Sequence, residues 1–173
     1  MGACLCAIKV DDAHALAHLT ALDDRGLRAV LLSGAIKLLS PSWLVSQQSS
    51  DLTRLPRRQE LEEREQNTGE TIFVPPAEAV AMLSAGRREI GALTYGWTTM
   101  DHPDEEGVYL AAVRRALRSG LCAHIKALFW DFASLLQKPR SKDGDVLFGQ
   151  ALNVMGDVYA SAVGVSVLRH RLV

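Results

Sequence analysis

The chain is poor in most signals that name a chemistry. It has three cysteines in 173 residues, Cys4, Cys6 and Cys122. An odd number without metal-type spacing argues against a disulfide framework or zinc site, and for a reducing, cytoplasmic setting. The 19 basic and 20 acidic residues leave a net charge of −1, so no nucleic-acid partner is expected. No run of about 20 uninterrupted apolar residues occurs, so no transmembrane span is expected. The most apolar early stretch, Leu27–Val45, is broken by Arg28, Lys37 and Pro41. The first residues lack the basic start and long apolar core of a secretory signal. There is no P-loop, no G-x-G-x-x-G, no G-x-S-x-G and no internal repeat.

What is present is a 48% apolar composition, enough for a core. The length fits one domain with an N-terminal extension. The start, MGACLC, offers Gly2 as a myristate acceptor and Cys4 and Cys6 as palmitate acceptors. That would give weak membrane anchoring, although the motif wants Ser or Thr where Cys6 stands.

Residues 1–45 read as a mostly helical extension. Asp11–Leu22 has helical spacing, with His14 and His18 four apart but no third metal ligand. Ala29–Leu39 is apolar and fits helix or strand. Residues 46–75 read as a charged linker, because RLPRRQELEERE holds few large apolar residues. Residues 76–173 alternate strand and helix. Pro76 opens a helix that Gly86 closes. Strands are predicted at Ile90–Trp97, Ile125–Asp131 and Gly164–Leu168. Helices are predicted at Glu105–Ser119, with Arg114, Arg115 and Arg118 facing water, and at Asp143–Ala162. Gly149 and Gly156 inside the last helix suggest close packing there. Helices of this length between strands imply right-handed crossovers, hence an α/β fold with a short parallel sheet of about three strands.

ALFWDFASL (127–135) is an apolar run that delivers one acid, Asp131, to the sheet's carboxyl edge. ALTYGW (92–97) empties into TTMDHPD at the same edge. Ligands of open α/β sheets bind there. Trp97, Thr98, Asp101, His102, Asp104 and Asp131 are therefore the candidate ligand-binding residues: carboxylates and an imidazole can polarise a hydroxyl, and Trp97 can stack a base. Asp101 and Asp104 equally suit turn and N-cap roles before the next helix. No catalytic residue, metal site or cofactor is assigned. Asp131 lacks the acidic pair and lysine of a receiver-type phosphoacceptor.

LTYGW, ALFWDFASL and QALNVMGDVYASAVGVSVL, in that order from about Ile90 to Leu168, resemble the TIR and TIR-like group. HPD after strand one and FWD in strand two are similar to uncharacterised algal-type TIR-like proteins. The resemblance implies a partial flavodoxin-like fold and a protein-interaction or signalling role, through self-association or another TIR-like domain. It also implies truncation: the family's NAD-cleaving glutamate follows the third strand and has no matching position before Val173. The expected function is thus a non-catalytic interaction module. The alternative is a nucleotide- or nucleoside-processing hydrolase or transferase using Asp131 and the Trp97–Asp104 loop. A three-stranded parallel sheet is expected to leave two open edges, which motivates the first reading.

Overall fold

A computed structural model describes residues 24–161 and 165–169. Gly2, Cys4, Cys6, His14, His18 and the helix expected over Asp11–Leu22 lie outside the described residues. The elements are α1 (Arg25–Leu32), α2 (Pro41–Leu44), α3 (Arg58–Thr68), α4 (Pro76–Ala85), β1 (Ile90–Thr94), α5 (Val108–Arg118), β2 (Ala127–Phe129), α6 (Asp131–Ser134), α7 (Lys142–Ala160) and β3 (Val165–Arg169). The fold is α/β. The three strands are parallel in the order β2-β1-β3, with Ile90 paired to both Ala127 and Val165. The strand order reverses between β1 and β3.

Alternation along the strands divides the core into two layers. Ile90, Ala92, Ala127, Phe129 and Val165 pack with buried residues of α1, α4 and α7. Leu93, Leu128 and Trp130 point the other way, against Tyr109, Leu110 and Val113 of α5 and against Trp43, Leu44 and Leu61. Gly91 lies in this second layer. A Cβ there would sit 3.1 Å from Ile125 and 3.2 Å from Leu168, so the small residue lets α5's side of the sheet close.

The apolar stretch Ala29–Leu39 resolves into both forms that its pattern allowed. Its first part completes α1, and Leu38–Leu39 then run extended. Leu39 bridges antiparallel to Leu128 on one side and to Phe73 on the other. Leu39 and Leu128 exchange both backbone hydrogen bonds, at 2.8 and 2.9 Å. Ser40 N–H donates to Ile72 O, and Val74 N–H to Leu38 O. The expectation of two open edges is therefore corrected: two short antiparallel segments extend the sheet beyond β2. Beyond them, the Glu65 carboxylate accepts the N–H groups of Ile72 and Phe73 at 2.9 and 3.0 Å. Pro75 and Pro76 follow, and neither has an N–H to offer.

Much of that seal comes from the stretch read as a charged linker. It carries the eleven-residue helix α3. Glu60 Oε2 accepts the Arg57 N–H at the helix start, and Gly69 ends it at φ 72°. Only Leu61 is a buried apolar side chain of α3; the other buried position is Arg58, 3% exposed. Arg58 donates to the carbonyls of Gly34, Ala35 and Ser134 and pairs with Glu62. Arg64 pairs with Asp51 and Glu70, and Glu70 also accepts the Trp43 indole N–H at 2.8 Å. Arginine stems and forks thus fill positions that hydrophobic periodicity reserves for apolar residues.

Two further expectations change. Arg114 is half-buried rather than water-facing, and its guanidinium holds the carbonyls of Leu44, Ser49 and Leu52. Among the described residues, Gly149 and Gly156 have no heavy atom within 4 Å of where a Cβ would stand, so no close packing among them explains these glycines.

Candidate functional site

The β1 and β2 ends bring Tyr95 and Asp131 together at the carboxyl edge. The Tyr95 hydroxyl donates to Asp131 Oδ1, and the Phe132 N–H donates to the same oxygen at 2.6 Å. Oδ2 has no hydrogen-bond partner among the described residues. Burial, then the negative charge and hydrogen bond of Asp131, push the Tyr95 phenol far above its ordinary range. Tyr159, from α7, donates to Leu93 O at 3.2 Å. Burial and the Asp131 charge raise its phenol to about 12. Both phenols stay protonated at neutral pH and act as donors, not bases.

Tyr95 is anchored edge-on between Tyr109 and Trp130, with ring centroids 5.1 and 5.9 Å away. The Trp130 indole N–H is buried beside Tyr95, with no partner in hydrogen-bond geometry among the described residues. A second aromatic group sits outside this one. Trp97 meets Phe132 edge-on with ring centroids 5.8 Å apart, and His102 meets Phe132 edge-on at 4.8 Å. Trp97 is 46% exposed, so part of its ring is open to a ligand.

The loop between them is largely knitted to itself. The Thr98 and Thr99 hydroxyls donate to Pro103 O and His102 O. His102 Nδ1 accepts the Asp104 N–H at 2.9 Å, and its Nε2 lies 3.0 Å from Leu55 O. Nδ1 as acceptor fits a neutral ring donating through Nε2. Asp104 is 1% exposed, and its two oxygens accept the N–H groups of Tyr109 and Leu110, both at 2.8 Å. This carboxylate caps α5 and is committed to that role. Gly107 makes the cap reachable: it turns at φ 70°, and a Cβ there would run into the Thr53 carbonyl.

The structure therefore brings Trp97, His102 and Asp131 to one edge around Phe132. Thr98 ties the loop, Asp104 caps the helix, and Asp101 stands exposed at the loop tip. Tyr95, Phe132 and Tyr159 belong to the constellation, although the sequence reading passed over them. Tyr95 had a signal, since it directly follows the strand that ends LTYGW. Among the described residues no group of three or more His, Cys, Asp or Glu could hold a metal ion. No helix among the described residues is long and apolar enough to cross a membrane. Compared with known proteins, the chain matches no family model, no curated protein and no solved structure.

Proposed function

We propose that this chain is a TIR-like interaction module that works without catalysis, by pairing with another copy of itself. One observation carries the reading. The β2 side of the sheet is closed by two added segments and the Glu65 carboxylate, whereas β3 has a partner strand on its β1 side only, among the described residues. Val167 of β3 is 43% exposed, and the strand holds no proline and no inward-facing charge. Such an edge is a template for a further strand. Antiparallel pairing about Val167 sets Val165 opposite Arg169 of the second copy and Ser166 opposite Leu168, a self-complementary register. Light scattering across a dilution series tests it. Mass that rises with concentration supports the module, and a folded, strictly monomeric species at roughly 50 micromolar refutes it.

The runner-up reading is a nucleotide- or nucleoside-processing enzyme, favoured by Asp131 Oδ2, unpartnered among the described residues, and by the half-exposed Trp97 that packs on the neighbouring Phe132. Incubation with NAD and nucleosides, followed by chromatography, separates the two readings. Turnover that disappears in Asp131→Asn supports the enzyme.

A further inference from the structure

Cationic residues scattered through the sequence between positions 87 and 126 converge at one end of the fold. Arg87 and Arg88 stand three and two residues before β1, and Lys126 immediately precedes β2. The Lys126 N–H donates to Glu89 O at 2.7 Å, which holds the two strand entries side by side. The helix α5 runs back from the carboxyl edge, so Arg115 and Arg118 in its last turn arrive at the same end. His124 joins them, with Nε2 3.4 Å from Ser166 Oγ, and Ser166 Oγ donates to Arg88 O. Among the described residues, the acids set against them are Glu89, paired with Arg87 at 3.0 Å, and Asp157 in the last turn of α7. Among the described residues named here, five permanent cations face two acids, in a chain whose net charge is −1. Leu121, on the turn Gly120–Cys122 that follows α5 to this end, is 60% exposed.

We propose that this amino edge of the sheet docks on an anionic lipid bilayer, with Leu121 entering the interface and Arg87, Arg88, Arg115, Arg118 and Lys126 over the headgroups. The composition of the face favours a bilayer. Cations supply attraction to acidic lipid, and an exposed leucine on the turn that follows α5 gains only where an apolar phase lies beneath it. The acylation expected of Gly2, Cys4 or Cys6 in MGACLC would be compatible with the same partner. One acyl chain holds a protein to a membrane only marginally, and a polybasic face is one of the second signals that makes attachment stable. The inference does not rest on self-association, because β3 pairing uses the sheet's side and leaves its amino end free.

Flotation of the full, unacylated chain with phosphatidylcholine vesicles, with and without phosphatidylserine, tests it. Binding is expected only with phosphatidylserine and weakens as salt rises. The double variant Arg115→Glu/Lys126→Glu, shown to be folded by circular dichroism, is expected to lose binding on the order of 25-fold or more. Leu121→Ser weakens binding but keeps the salt dependence. Arg54→Glu, at the opposite end, leaves it unchanged. Equal binding to neutral vesicles, no binding to acidic ones, or full binding by the double variant overturns the proposal. Tight binding to RNA that is indifferent to Leu121→Ser would assign the face to nucleic acid and overturn it as well.

Discussion

The two sides of the sheet solve the same problem in opposite ways. Beyond β2, the backbone is covered by Leu38–Ser40, then by Ile72–Val74, then by a carboxylate. At β3 the described structure stops on a strand with an exposed valine. The sealed side is also where the buried arginine clamps are, so its order depends on charged residues meeting backbone carbonyls. The β3 side depends on ordinary strand pairing with β1 and on α7. A protein that invests six residues and a carboxylate in closing one edge shows what an unprotected edge costs, which makes the bare β3 edge a candidate for use.

The largest expected effect comes from breaking the clamp. Arg58→Ala removes donors from three carbonyls and leaves Glu62 without one of its cations. Stability is expected to fall by about 3 kcal/mol in urea unfolding. Glu65→Ala comes next, at about 2 kcal/mol, because the Ile72 and Phe73 N–H groups lose their acceptor. That variant turns the closed edge into a second open one, so it should also associate more strongly than the wild type in light scattering.

How much of this was legible in the sequence depends on range. The order β1, α5, β2, α7, β3 was readable because each element carries its own period and its own stop, such as Gly86 after α4. The seal was not. Leu38–Ser40 and Ile72–Val74 are too short to show alternation, and each is extended only because the other and Leu128 lie beside it. The helix α3 was hidden for a related reason: its buried face contains one leucine and one arginine, and a pattern of apolar residues cannot register the arginine. At the candidate site, the capping role of Asp104 was readable from its place before a helix. The Tyr95–Asp131 bond joins residues 36 positions apart and required the strand register to be known.

Acid should unfasten the sealed side first. Burial pushes the Glu62 carboxyl up, but the hydrogen bond from Lys37 and the charges of Arg58 and Lys37 outweigh it and hold it below its ordinary value of 4.5. Hydrogen bonds from Arg64 hold Glu70 and Asp51 down in the same sense. A depressed folded value means stability that is complete above the unfolded value and lost as pH falls through the folded one. Unfolding midpoints should therefore be level near neutrality and drop below about pH 4.5, and hydrogen exchange should show α3 opening before β1. The smallest effect is a control on the other layer. Gly156→Ala, on the solvent side of α7, should raise stability by about 1 kcal/mol and leave association unchanged.

The comparison is tested most directly by sedimentation equilibrium on the wild type and Val167→Lys, whose charged edge should repel a second strand at little cost to stability. Concentration-dependent dimerisation of the wild type, abolished in Val167→Lys with the monomer still folded, is the predicted result. A wild type that stays monomeric at roughly 50 micromolar, or a variant that dimerises as well as the wild type, would contradict it.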